Sequence, residues 1–277
     1  MGMGLVIKHN LMAQTALRNL GATYTTLAES INALSSGLRI NSADDDAAGL
    51  AVRELMRAEV AALGQGIRNA NDAISMLQTY DGAAQVIDEK LIRMKELAVQ
   101  ASTGTYSDEQ RAIMDDEFSA MREEITRIAN ATTFNEVYGL NTSGTIKIHF
   151  GPGNSSAEDY YYVTKQNLTA SALGIASLSI ASQASAQGAL ESINSAIATK
   201  DTSRAHFGAM INRLENTISN LEIQRENIQA AESQISDVDV AWEMAELTRN
   251  MVLAQAGVAM LVQANVVPQM ALALLGG

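Results

Sequence analysis

The densest cluster of potential chemistry is Asp44-Asp45-Asp46, three consecutive carboxylates of the kind that hard cations take as ligands. A loop cation site needs further oxygens at fixed offsets, and none follow. Helix capping and solvation account for the run. His9, His149 and His206 fall in separate segments without an acid or nucleophile pattern beside them. They form neither a metal set nor a general-base pair. Gly151 and Gly153 flank a proline, but no Lys-bearing helix start follows, so they are not a phosphate loop. The chain has no cysteine, which removes disulfides, thiolate zinc sites and thiol nucleophiles together. No catalytic, metal-binding or cofactor-binding residue is expected, and the chain does not read as an enzyme.

What remains is shape and surface. The 277 residues carry 31 acidic and 19 basic side chains, a formal net charge of -12. No basic run could neutralise a phosphate backbone, which argues against nucleic acid. Apolar content comes from Ala, Leu, Ile, Val and Met, with one tryptophan and four phenylalanines. Such side chains line helix–helix seams better than they fill a wide sandwich. Residues 1–10 hold one lysine and a short apolar patch at 5–7, without the longer stretch and cleavage site of a secretory signal. Residues 250–277 lack any charged side chain, but Gln255, Gln263, Asn265, Pro268 and Gln269 interrupt them. Those amides would be costly in lipid, so the segment reads as a helix that protein must cover, with no membrane insertion.

Alternating steps of three and four dominate the pattern. They link Leu17, Leu20, Tyr24, Leu27, Ile31, Leu34 and Leu38, then Met56, Val60, Leu63, Ile67, Ala70, Ile74 and Leu77. The phase slips near Asp81 and Gly82 and resumes at Ala84, Ile87, Leu91, Met94 and Ala98. A third run is Met114, Phe118, Met121, Ile125 and Ile128. The longest passes through Leu190, Ile193, Ile197, Phe207, Ile211, Leu214, Ile218, Leu221, Ile228 and Ile235. It keeps one heptad phase over roughly 69 Å at about 1.5 Å per residue. Lys200, Arg204, Arg225 and Glu232 fall on this seam, where helix partners are expected to change. A last run joins Val240, Met244, Leu247, Met251, Val258 and Leu261.

Gly37 and the turn formers of residues 41–49 break the first helix. Ser107 and Gln110 make a capping box for the third. Between Phe134 and Lys165 the period changes to two: Ile146, Ile148 and Phe150 alternate with polar residues, Gly151-Pro152-Gly153-Asn154 turns the chain, and Tyr160 to Val163 returns. Residues 166–187 are rich in Ala and Ser and carry no clear period. The expected class is mainly α, with long antiparallel coiled-coil helices from both chain ends and one small β-hairpin at about 145–163.

Two long stretches at opposite ends resemble bacterial flagellin. One is Leu34-Ser35-Ser36-Gly37-Leu38-Arg39-Ile40-Asn41-Ser42-Ala43, continued by Asp45-Asp46-Ala47-Ala48-Gly49-Leu50. The other is Ala256-Gly257-Val258-Ala259-Met260-Leu261-Val262-Gln263-Ala264-Asn265, then Pro268-Gln269. Arg213-Leu214-Glu215-Asn216 and the segment from Ala231 to Asp239 are similar too, whereas Trp242, Val266 and Val267 depart from the family pattern. The resemblance implies a subunit that polymerises into the flagellar filament for motility. Residues 1–40 with 238–277 would form an inner coiled coil lining a channel, and 41–237 a helical rod with the hairpin. Only about 45 residues separate Leu140 from Gln187, so no outer insertion domain is expected. The implied partners are further copies of the chain, an export chaperone on the C-terminal segment, and filament cap and hook-associated proteins. Type III export and an extracellular location are implied as well. The segment Arg93-Met94-Lys95-Glu96-Leu97-Ala98-Val99-Gln100 resembles the part recognised by the host flagellin-sensing Toll-like receptor, with Arg93, Leu97 and Glu117 as contact candidates. The hook–filament junction protein, similar at both ends, is the rival reading.

Physics supplies the assembly expectation independently. Two terminal helices paired only with each other leave much apolar surface uncovered, so neighbouring copies must cover it and the ends should order on assembly. Leu17, Leu20, Leu27, Ile31, Leu34, Leu38, Met244, Leu247, Met251, Val258 and Leu261 are the expected assembly seam.

Overall fold

Heptad spacing becomes helix over most of the chain. The computed structural model describes residues 9–156 and 158–275, with side chains through Met270. The apolar patch at 5–7, the first eight residues of the expected inner pair and its last two lie outside the described residues. The elements are α1 (Leu11–Ser36), α2 (Ala47–Ser102), α3 (Asp108–Ala131), β1 (Thr133–Phe134), β2 (Val137–Tyr138), β3 (Thr145–His149), β4 (Tyr160–Thr164), α4 (Gln183–Ser236) and α5 (Val240–Leu275).

Local chemistry sets the ends of these helices. The Ala13 N–H donates to the Asn10 side-chain oxygen at 3.0 Å, capping α1. Gly37 closes α1 at φ +74°, a left-handed position that glycine enters without steric cost, and its N–H donates to Ala33 O. Asp46 accepts the Gly49 N–H at 2.9 Å, while Asp45 accepts from Asn41 and Ser42. The acidic run therefore spends two of its carboxylates on backbone amides. Ser107 and Gln110 form the expected reciprocal capping box. Asp239 caps α5 by accepting from Ala241 and Trp242.

Two compact units result, Met1–Ala58 with Asn227–Gly277, and Glu59–Glu226. In the first, α1 packs along α5. The chain that follows α1 is stitched to the chain that precedes α5: Arg39 N–H donates to Ser236 O at 2.7 Å and Val238 N–H to Gly37 O at 3.1 Å. Buried Arg53 donates to Ile40 O at 2.6 Å, which ties the start of α2 to this joint.

The second unit holds the main core. The heptad positions Leu63, Ile67, Leu77, Ala84, Ile87, Leu91 and Met94 of α2 are buried, as are Phe118 and Ile125 of α3 and Ile193, Phe207, Leu214 and Leu221 of α4. No break occurs at the phase slip near Asp81 and Gly82. Instead α2 runs through it as one helix, and ion pairs flank the buried Tyr80–Phe207 contact there. Arg204 donates to both Asp81 carboxylate oxygens, at 2.7 and 3.2 Å. Lys200, only 2% exposed, stands 2.6 Å from Asp88 and from Asp201. Two of the four polar seam positions, Lys200 and Arg204, are thus satisfied across the helices.

The β segments dock on this unit. The register pairs Ile146 with Val163 and Ile148 with Tyr161. Ile148, Phe150 and Val163 turn inward. Phe150 O lies so close to α2 that a Cβ at Gly66 would stand 1.7 Å from it. Arg213 covers the Tyr161 ring at 3.7 Å. A second, two-residue hairpin, β1–β2, was not expected from the spacing; Asn135 and Glu136 form its turn at φ +48° and +65°. Residues 165–182, without a readable period, are an irregular segment whose Leu168, Leu173, Ile175 and Ile180 are all buried. Arg122 donates to Leu178 O, and Asp115 accepts the Ile180 N–H.

The β3–β4 loop is organised by Asp159, which accepts the N–H groups of Ser155 at 2.7 Å and Gly153 at 3.0 Å. These bonds hold its carboxyl below the ordinary carboxylate range. A depressed folded value means that the stabilisation is complete above the unfolded value and is lost as pH falls through the folded one. Asp159→Asn should lower the melting temperature at neutral pH, and the difference from wild type should shrink as the medium is acidified below the ordinary carboxylate range, read by circular dichroism at several pH values.

Candidate assembly surface

The surface to be explained is the one that α1 and α5 leave open. Their mutual seam follows steps of three and four through Ala13, Ala16, Leu20, Thr23, Leu27, Ser30 and Leu34 of α1, all buried or half-buried. On α5 it follows Leu247, Asn250, Ala254, Gly257, Leu261, Ala264 and Pro268 in the same way. Small residues dominate this seam. They bring the backbones close: a Cβ on Gly257 would stand 3.0 Å from Leu20 Cδ1.

Of the expected seam residues, Leu20, Leu27, Leu34, Leu247 and Leu261 lie in this intrachain contact, and half-buried Leu38 bridges to Asp237 at the joint. Leu17, Ile31, Met244, Met251 and Val258 do not, nor does Tyr24. Leu17 is 60% exposed and the other five are likewise open. Their positions follow the seam by about one residue, roughly 100° around each helix. Because the helices run antiparallel, that rotation places both sets on the same flank of the pair. Leu17, Tyr24 and Ile31 therefore stand beside Met244, Met251 and Val258 as one apolar ridge. The reason for the division is size. A close two-helix contact accepts Ala, Ser, Thr and Gly between its leucines and pushes the bulkier residues outside.

The opposite flank is concave. Ala16, Asn19, Leu20 and Thr23 of α1 and Leu253, Ala256, Gly257 and Met260 of α5 line an open groove of about 400 Å3. Trp242, 64% exposed, lies in the same helical phase on α5. From Val240 to Met270, α5 is long and apolar enough by length and composition to cross a membrane. Pro268 interrupts its backbone ladder, since proline has no N–H to offer Ala264 O. Asn10 makes up the loss: its amide Nδ2 donates to Ala264 O at 2.8 Å while its oxygen caps α1. One side chain thus fixes both a helix start and the register of the pair.

Within residues 59–226, Arg93 Nε donates to Glu117 Oε1 at 2.8 Å and Arg93 also pairs with Glu96 at 3.1 Å. Leu97 is 2% exposed. It packs inward and offers no surface, which corrects its expected part as a contact: the helical phase that carries Met94 and Ala98 into the core takes Leu97 with them. Ile92, Lys95, Glu96, Val99 and Gln100 are what α2 presents beside Arg93. His9 is exposed, His149 stacks on Tyr160 at 6.1 Å, and His206 keeps a buried Nε2 without a partner.

Residues 7–145 match the bacterial flagellin N-terminal helical region and residues 190–275 the bacterial flagellin C-terminal helical region. The chain is 44% identical over 272 residues to a flagellin of Halalkalibacterium halodurans, covering 98% of this chain and 100% of the relative. A flagellar filament 31.3 kDa core protein of Treponema maltophilum is 40% identical, with 98% and 100% covered. Bacillus subtilis flagellin is 38% identical, with 97% and 99% covered. Among solved structures, Bacillus cereus flagellin superposes with a TM-score of 0.50 at 30% identity, covering 60% of this chain and 94% of that one. A flagellar hook-associated protein of Vibrio parahaemolyticus reaches 0.58 at 14% identity, covering 70% of this chain and 100% of that one, a likeness of fold alone.

The double role of Asn10 can be split by substitution. Asn10→Asp keeps a capping oxygen and removes the donor to Ala264 O; Asn10→Ala removes both. Loss of helical signal in far-ultraviolet circular dichroism should rank Ala above Asp above wild type, with about 1 kcal/mol for each lost interaction.

Proposed function

Because this chain belongs to the bacterial flagellin family and is a structural subunit of the flagellar filament, we propose that its copies assemble by covering the apolar ridge that α1 and α5 leave exposed. The observation that carries this reading is the position of Leu17, Ile31, Met244, Met251 and Val258 outside the intrachain seam. Each buried side chain of this class contributes roughly 1.5–3 kcal/mol, so a few such contacts per copy suffice for a stable polymer. Contacts between unlike patches whose rotation does not close into a ring generate a helical fibre.

In this reading the terminal pair lines the filament channel, and the remaining helices form the surrounding rod. So little of α1 and α5 is covered within one chain that their full ordering accompanies assembly. Before assembly an export chaperone covers the uncharged C-terminal segment, and the chain leaves by type III export to join the extracellular filament, with hook-associated and cap proteins at its ends. The apolar α5 serves this packing and not a membrane, since Asn250, Ala254 and Ala264 face α1 and four amides interrupt the rest. No enzymatic role is assigned. The hook–filament junction reading has only a likeness of fold behind it.

A host Toll-like receptor would meet the exposed face of α2 around Arg93 and the Glu117 carboxylate on α3, with Leu97 supporting them from below. Arg93→Ala should weaken receptor activation by the dissociated chain at least roughly tenfold, about 1.4 kcal/mol, with unchanged helicity; unaltered activation would remove that assignment.

Two variants test the assembly reading by electron microscopy and sedimentation. A chain lacking residues 250–277, and the double variant Leu17→Ser/Met251→Ser, should stay soluble with an intact second unit and form no filaments. Normal filaments from either would sink it.

A further inference from the structure

The ridge and the groove lie on opposite flanks of one helix pair, so a chain cannot fill its own groove with its own ridge. We propose that the groove between α1 and α5 receives Tyr24 of a second copy. This rests on the filament reading and specifies the polarity of its contact.

Chemistry selects the residue. The groove walls are apolar at Leu20, Leu253, Gly257 and Met260, and two polar groups, Asn19 and Thr23, stand at the α1 side. Thr23 Oγ1 donates to Asn19 O at 3.0 Å, which leaves its lone pairs free to accept. The Asn19 side chain makes no hydrogen bond among the described residues and is exposed. An occupant that suits this lining has a flat apolar body and one polar tip. Among the ridge residues Leu17, Tyr24, Ile31, Met244, Met251 and Val258, only Tyr24 has both. Its ring would lie against Leu253 and the Met260 thioether, a favourable sulfur–aromatic contact, with the phenol hydroxyl on Asn19 or Thr23. Small side chains at Ala16 and Ala256 give the ring its room.

The contact is heterologous: Tyr24 of each copy enters the next copy while its own groove takes Tyr24 from the copy before. Such a head-to-tail contact is the kind that a helical polymer propagates through. It also excludes a symmetric pair in which two Tyr24 side chains meet.

The absence of cysteine allows a direct test. Tyr24→Cys and Ala256→Cys chains are polymerised separately and as a mixture with wild type, then mildly oxidised. The disulfide requires Cα atoms within about 7 Å. The expected result is a crosslinked pair in the mixture of the two variants and none in filaments carrying either alone. Filaments that form normally yet give no mixed crosslink, or that give a Tyr24→Cys homodimer, overturn the proposal and leave the filament reading standing. Failure of the wild-type chain to polymerise would instead count against the filament reading, and the Tyr24 contact would fall with it. Should the cysteine variants not assemble, a reconstruction of the wild-type filament decides by whether Tyr24 sits in a neighbour's groove. Tyr24→Phe should raise the critical concentration for assembly several-fold and Tyr24→Ala at least roughly tenfold; no change in either overturns the proposal.

Discussion

A helix pair can hide only one stripe of each member, and every other feature of the terminal region follows from that limit. Both α1 and α5 are apolar over more than one stripe. Given two candidate stripes, the pair buries the one with small residues, because close backbone approach gains dispersion contacts along the whole length. The bulky stripe is left for something else. The chain has no cysteine, so no disulfide can reinforce the terminal pair.

The second unit solves the opposite problem. Its helices bury most of their heptad positions, the irregular segment 165–182 adds buried leucines and isoleucines to the core, and the β3–β4 hairpin docks where Gly66 admits Phe150. Lys200 and Arg204 on the seam are paired. A body with a covered core and a helix pair with an open flank are joined in the same chain.

Much of this was legible in the residues, and the exceptions have physical causes. Heptad spacing located α2 to α4 and their buried faces well, because those helices are covered on the apolar side and wet on the other. The same spacing could not tell which stripe of α1 and α5 faces inward. Ala13, Thr23, Ser30, Asn250 and Gly257 carry no hydrophobic signal, yet they form the contact; Leu17 and Met251 carry a strong one and stand outside. Asn10 was invisible for a related reason, since its partner Ala264 O is exposed to need only by Pro268, 258 positions from Asn10 in the chain. Glu136 in a left-handed turn defies the usual composition of such loops, so β1–β2 went unseen. The family resemblance of residues 93–100 made Leu97 a contact candidate, but its helical phase points it into the core.

The ionic layer in α4 has a mechanical consequence. A filament that turns in water loads its subunits along their long axes, and parallel helices packed through leucines and alanines could creep past one another by whole heptads, about 10.5 Å at a time, with little change in contact. Lys200 and Arg204 oppose the first such step. Displaced by one repeat, the Lys200 ammonium would keep Asp201 but part from Asp88, and the Arg204–Asp81 pair would break with it. The two cross-helix ion pairs act as shear pins against such creep.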